Sequence, residues 1–503
     1  MSITVGLGGV KRNAAVSVAV DGELLAVCEE GRVQRVRNVG LRAGGFPAAA
    51  LGSAMDTAGY SARTPDAYVA AEPELAAVIP CAVTMLSHHF AHAATTFFTS
   101  PLESAAIVVC DTGDEPGVSA WLGNGTTLTR ANVEWRGPGF ADVYSQLTEW
   151  LGFVPGRDEY AVEALARLGR RHGTGRAAEL LTYRDGGIRV DAAFEAYGRE
   201  STNSPTPEAM GTVAWAVQCR LGELLIEFLE TVRRVTGASN LCLGGGLFFN
   251  THLNTAVRQS GLFDRVFIPV NPGNSGMSAG CALAGDLERR PPARVASPMS
   301  PFLGPEYSNE AIKAVLDNCK LTYQFVEEST AVRQAVDALM RGEFVGWFQG
   351  RLEWGTRALG NRSIFANPLA PYGLENLNRF LKDRKAYRAY GLAVRAEDVA
   401  AHFSGPTTSP YMECEFEMLD PGRFVNVSPP DITHTRVQIV DSEPTGLRDL
   451  LTRFGEASGL PVLVNTSFNS RHEPIVCSPR DAVRVFYGTG LDMLVIGNFV
   501  LRK

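Results

Sequence analysis

Short apolar runs broken by turn residues dominate the opening of the chain. Residues 3–7 and 14–20 read as strands, and Asp21-Gly22 joins the second run to a third at 24–29. An Asp-Gly step between two β-rich runs predicts a tight hairpin. The strand-turn-strand pattern returns at 105–110, an apolar run followed by Asp-Thr-Gly-Asp-Glu, and at 118–122, which ends in Gly123-Asn124-Gly125. Between 209 and 235 the apolar residues recur at helical spacing, so one long amphipathic helix is expected there. It leads into a strand at 240–243 and the triplet Gly244-Gly245-Gly246, where close backbone approach and a following helix would suit a phosphate, although glycine there can also serve only to relieve crowding.

Periodicity stops in residues 287–305, LERRPPARVASPMSPFLGP, and restarts as helix (309–317), strand (321–326), helix (331–341) and strand (344–348). Breakers without periodicity mark a boundary. The expected organisation is a domain at 1–290, a linker at 291–305 and an α/β domain at 306–503. A chain of 503 residues exceeds what one core usually supports, which agrees with this division.

Composition narrows the function. A net charge of −7 gives no general pull toward nucleic acid. The nine cysteines are scattered without CxxC spacing and read as reduced core residues. The opening MSITVGLGGVKRNAA lacks a signal-peptide pattern, and no apolar run approaches a membrane helix. A cytoplasmic protein without nucleic-acid or membrane partners is therefore expected.

Candidate chemistry gathers in a few segments. Residues 347–363, WFQGRLEWGTRALGNRS, hold Arg351, Arg357 and Arg362 among glycines with Glu353 as the only acid. Guanidinium groups grip phosphate or carboxylate oxygens in pairs, and the interleaved Trp347, Phe348, Trp354 and Leu359 predict partial burial rather than a solvated turn. Lys382, Arg384, Lys385 and Arg388 cluster further on, and Asn465, Thr466, Ser467 and Asn469 follow a buried strand, where open α/β sheets place ligands. In the first half His88 and His92 stand at i and i+4 in a helix-compatible stretch, so both can face one metal ion, with Asp111 as a carboxylate ligand.

Taken together, WFQGRLEWGTRALGNRS, LPVLVNTSFNSRHEPIV, GTGLDMLVIGNF, SHHFAHA and LCLGGGLFFN make the chain resemble the O-carbamoyltransferases of antibiotic biosynthesis and nodulation. The resemblance implies an actin-like ATPase (ASKHA) fold in the first half and a YrdC-like fold in the second. It implies ATP with Mg²⁺ and a divalent transition metal, Fe²⁺ foremost. The second half would convert carbamoyl phosphate and ATP to carbamoyl-adenylate, and the first would pass the carbamoyl group to a hydroxyl or amine of a small acceptor. Arg351, Arg357, Arg362, Lys382, Arg384, Arg388, Asn465, Thr466, Ser467 and Asn469 then fall on the donor site, Gly245, Gly246 and Asn250 on the adenylate-holding turn, and His88, His92 and Asp111 on the metal.

Departures from that pattern fall in the first half. The family's His-Asp pair is replaced by Arg12 and Asn13, its fourth metal carboxylate by Asn274, and a lysine by Ala161. Arginine cannot accept a proton near neutrality and an amide binds a divalent cation weakly, so Arg12 and Asn13, with Asp111 and Arg357, are the positions on which catalysis turns. A homodimer or a paralogous partner that completes the first site is the accompanying expectation. Trp135, Phe140, Tyr144, Tyr160 and His252 are candidates for the acceptor pocket.

Overall fold

The computed structural model describes residues 2–9, 11–41, 45–76, 78–79, 82–112, 117–170, 173–200, 206–289, 299–385, 387–429 and 431–503. The opening runs form β1 (Ile3–Gly8), β2 (Ala15–Val20) and β3 (Glu23–Glu29), a buried antiparallel meander. Asp21 and Gly22 both take positive φ, 52° and 87°, the backbone that a two-residue hairpin turn demands. β4 (Ala67–Ala70) and β5 (Val83–Met85) add in parallel beyond β1, giving the order β3-β2-β1-β4-β5.

A second sheet repeats that plan. β6 (Ser104–Cys110), β7 (Val118–Asn124) and β8 (Thr127–Arg130) form the meander, the hairpin β9 (Leu181–Arg184) and β10 (Gly187–Val190) stands apart, and β11 (Asn240–Gly244) and β12 (Arg265–Phe267) join β6 in parallel. Its order, β8-β7-β6-β11-β12, matches the first sheet strand for strand, and this duplication is the actin-like architecture. The helices His88–Phe98 and Met277–Arg289 pack on each other, the first against β6 and β11, the second against β1. Glycine lets the second come close: a Cβ on Gly6 would lie 2.0 Å from the Ser278 carbonyl oxygen.

The second half is mixed α/β on one ten-stranded sheet, as its YrdC-like resemblance leads one to expect. Its strands run Gln324–Phe325, Phe499–Arg502, Met493–Ile496, Val345–Phe348, Arg362–Ala366, Val462–Ser467, Leu392–Arg395, His434–Val440, Glu415–Met418 and Phe403–Ser404 in spatial order. The strand expected at 321–326 is only Gln324–Phe325, an edge strand whose Phe325 is exposed.

Residues 290–298, which include the first part of the expected linker, lie outside the described residues. The end of that stretch is packed: Leu303 is buried and its carbonyl accepts from the Val27 amide at 3.0 Å, while the Gly304 amide donates to the Leu352 carbonyl at 2.8 Å. Polar contacts close the junction of the halves. Arg32 donates to the Glu353 and Gly355 carbonyls, Glu29 accepts from the Gly355 amide at 2.9 Å, and Arg35 reaches the Ile475 carbonyl at 2.6 Å.

Candidate functional site

The metal-ligand candidates of the first half meet at one point. Ser87 Oγ accepts from the Phe90 amide at 3.3 Å and caps the helix His88–Phe98, so His88 and His92 leave its first turns on one face. Asp111 follows β6. Its Oδ1 accepts from the amides of Thr112 (2.9 Å) and Gly246 (3.4 Å), which turns Oδ2 to 2.7 Å from His92 Nε2 and 3.2 Å from His88 Nε2. Asn274 Oδ1 lies 3.2 Å from His92 Nε2.

Burial alone would push the Asp111 carboxyl up, but His92 and His88 hold it well below the usual range, so it is ionised at neutral pH. Two imidazole nitrogens and a carboxylate oxygen within 4.8 Å of one another fit a divalent transition metal. Asn274 adds a neutral, weaker donor.

Gly245, at φ +98°, abuts Cys110 so closely that a Cβ would lie 2.2 Å from its carbonyl oxygen. Asn250, expected on the nucleotide, is engaged in the fold: its Oδ1 caps the helix Thr251–Gln259 and its Nδ2 donates to Gln218 Oε1 at 2.8 Å. Arg12 and Asn13 lie exposed in the turn between β1 and β2, where Arg12 donates to the Pro155 carbonyl at 3.1 Å.

The basic residues of the second half divide by what they touch. Arg351 donates to the carbonyls of Leu25 (2.6 Å), Leu303 (2.9 Å) and Gly304 (3.2 Å). Arg362 donates to Gln349 (2.6 Å), Asn361 and Gly350 (3.1 Å each) and Pro305 (3.2 Å), stacked over the Phe348 ring at 3.6 Å. Lys382 Nζ donates to Asn469 Oδ1 at 2.7 Å and to the Ser467 and Asn469 carbonyls. The expectation that these three grip an anion is therefore corrected: each is engaged by backbone carbonyls, some of which, as at Leu303, Pro305 and Asn361, also accept from a backbone amide, since a carbonyl oxygen has two lone pairs.

Arg357, Arg384 and Arg388 are placed differently, and Arg436, on the strand His434–Val440, joins them. Among the described residues, no hydrogen bond runs from the Arg357 or Arg436 guanidinium. Arg388 lies over Tyr160 at 4.7 Å and Arg384 over Tyr390 at 5.1 Å. Burial, with Arg384 adding to it, lowers Arg388 to about 10; burial, with Arg357 adding to it, carries Arg436 well below the ordinary arginine value. Cations crowded and desolvated in this way favour an anionic ligand.

The polar run 465–469 borders the second-half residues. Asn465 Nδ2 donates to Gln438 Oε1 (2.7 Å) and the Ala358 carbonyl (3.2 Å), while its buried Oδ1 accepts from no described donor. Thr466 is buried on the same strand, and Ser467 Oγ donates to Asn469 Oδ1 at 2.8 Å.

Sequence reading missed the first half's share in this region. Glu163 and Arg167 pair at 2.7 Å, and Arg436 lies 4.0 Å from Glu163. Glu415 accepts from Arg170 at 2.7 Å, His252 Nδ1 at 2.8 Å and Arg167 at 3.3 Å, beside a polar cavity of about 240 Å³ at the junction. The i, i+4 spacing of Glu163 and Arg167 and the single arginine in the strand His434–Val440 were the available signals. Of the acceptor-pocket candidates, His252 lines that cavity and Tyr160 meets Arg388, whereas Phe140 is fully buried core, Trp135 packs against it, and Tyr144 donates to Gln218 Oε1 at 2.9 Å.

Comparison with known proteins identifies the family. Residues 49–283 match the family model described as Carbamoyltransferase N-terminus, and residues 336–503 match Carbamoyltransferase C-terminus. Nodulation protein NolO of Bradyrhizobium diazoefficiens is 30% identical over 440 residues, 83% of this chain and 79% of that protein. The 3'-hydroxymethylcephem-O-carbamoyltransferase of Amycolatopsis lactamdurans is 28% identical over 285 residues, 55% of this chain and 52% of that one. Among solved structures, T. kodakarensis HypF superposes with a TM-score of 0.39 at 14% identity, over 58% of this chain and 48% of that chain. With both halves matched in order and a relative aligned over most of its length, the chain belongs to the carbamoyltransferase family and is a carbamoyl-transferring enzyme.

Proposed function

We propose that the protein is an ATP-dependent carbamoyltransferase in which the cluster of Arg357, Arg384, Arg388 and Arg436 activates the donor and the first half delivers the product. Carbamoyl phosphate, ATP with Mg²⁺ and one water would give carbamoyl-adenylate, phosphate and pyrophosphate, and the carbamoyl group would pass to a hydroxyl or amine of a small acceptor. The single observation that carries this reading is the set of desolvated guanidiniums without carbonyl partners, beside others spent wholly on carbonyls. Adenylyl transfer depends on neutralising charge as it builds on oxygens, and fixed cations in a low-dielectric site do that without reorganising.

His88, His92 and Asp111 would hold a divalent metal, Fe²⁺ being the expected one, with Asn274 as the weak fourth donor; such an ion supplies Lewis-acid polarisation of a bound oxygen. The amides of Thr112 and Gly246 fix the Asp111 carboxylate in either case.

The test is pyrophosphate release from ATP, carbamoyl phosphate and Mg²⁺. Release by the wild type and its loss in Arg357→Ala supports the reading, and no release with or without acceptors ends it. A second reading, a divergent subunit acting with a paralogous partner or within a homodimer, draws on Asn274 in the metal set and on Arg12 turned to Pro155. Pyrophosphate release with carbamoyl transfer only after addition of a paralogue would favour it.

A further inference from the structure

The arginine cluster faces a carboxylate that the other half of the chain supplies. Glu163 is 2% exposed, on the helix Glu159–Ala166. Its Oε1 accepts from Arg167 at 2.7 Å and from the Thr251 amide and hydroxyl at 3.2 and 2.5 Å. Oε2 is the oxygen turned toward Arg436, at 4.0 Å. That separation is longer than a hydrogen bond, so the pair is held by charge and Arg436 stays free to turn to another anion. Arg357 is coupled electrostatically to the same carboxylate. Burial tends to keep Glu163 protonated, but Arg167, Arg436 and Arg357 outweigh it and leave the group ionised.

We propose that Glu163 is a positioning residue which competes with anionic ligands for Arg436, holding its guanidinium when the site is empty and weakening retention of a polyanionic product such as pyrophosphate. Two features separate this from a merely structural ion pair. Glu163 has a full partner in Arg167, so its second oxygen is not needed to satisfy its own burial. It also comes from the first half, so displacement of Arg436 from Glu163 alters the carboxylate on which the start of the helix Thr251–Gln259 rests. That helix grips the second half through Asn254 and Thr255, which bond the Glu413 carbonyl (2.8 Å) and the Glu415 amide (2.9 Å). Ligand occupancy among the arginines is thereby transmitted to the junction.

The proposal rests on the arginine cluster being the donor site, and the experiment keeps the two apart. Inorganic pyrophosphate is titrated by calorimetry into the full-length wild type, Glu163→Gln and Thr251→Val. On the order of 10 Å away across an arginine side chain, at an effective dielectric of about 20, a carboxylate weakens a bound negative charge on the order of tenfold. Glu163→Gln is expected to bind pyrophosphate about tenfold tighter, and in steady state to lower kcat and the donor KM together as product is retained. Thr251→Val loosens the same carboxylate without removing its charge and leaves pyrophosphate affinity within about twofold.

Structural damage would instead raise KM, so unchanged or weaker pyrophosphate binding in Glu163→Gln overturns the proposal while the donor-site reading stands. If neither the wild type nor Glu163→Gln binds pyrophosphate, both fall.

Discussion

Replacing Glu415 by glutamine tests whether buried charge holds the two halves together. Glu415 is 2% exposed and accepts from Arg170 at 2.7 Å, His252 Nδ1 at 2.8 Å and Arg167 at 3.3 Å. The substitution keeps the volume and one acceptor oxygen but removes the charge that these groups share. Stripping one member from a buried ion network costs about 3–5 kcal/mol, and the retained acceptor places this case near the lower end, at about 3 kcal/mol. The assay is urea unfolding followed by tryptophan fluorescence. Trp215 is a local reporter, because both the His252 ring and the Arg170 guanidinium lie 4.9 Å from it.

Acid should uncover the same dependence. Burial would raise the Glu415 carboxyl, yet His252, Arg167 and Arg170 hold it well below its ordinary value of 4.5. A depressed carboxyl contributes its full stabilisation above the unfolded value and loses it as pH falls from there through the folded value. Wild-type stability should therefore drop more steeply than that of Glu415→Gln below about pH 4.5. A loss under about 1 kcal/mol at neutral pH, or identical acid profiles, would refute the account of the junction.

Arg357→Ala should raise the donor KM on the order of a hundredfold in the pyrophosphate assay, the equivalent of two charge-assisted hydrogen bonds, without shifting the thermal midpoint. Arg362→Met should do the opposite: it removes the donor to the Gln349 and Gly350 carbonyls, while Pro305 and Asn361 keep the amides of Leu352 and Gln349, and should cost about 2–4 kcal/mol in thermal unfolding, part of the loss being offset by removal of a desolvated charge. Asn274→Asp should tighten Mn²⁺ or Fe²⁺ binding at least about tenfold by calorimetry, and His92→Ala should abolish it while pyrophosphate release continues.

The sequence by itself determined the strand meanders, the Asp21-Gly22 turn, the helix that presents His88 and His92 together and the strand end that carries Asp111. Each depends on neighbours only a few residues apart, where backbone preference and side-chain period decide the outcome. The family pattern likewise lay in contiguous motifs. What an arginine touches was not legible in that way. Arg351, Arg357 and Arg362 share one glycine-rich segment, yet Arg351 meets carbonyls of residues 25, 303 and 304, Arg362 folds back on carbonyls of its own segment and Pro305, and Arg357 meets the cations of 384 and 436. Tertiary structure alone brought Glu163, Arg167 and Glu415 to the junction: burial sets the cost of a lone charge, and only the packed chain decides which opposite charge is near enough to offset it.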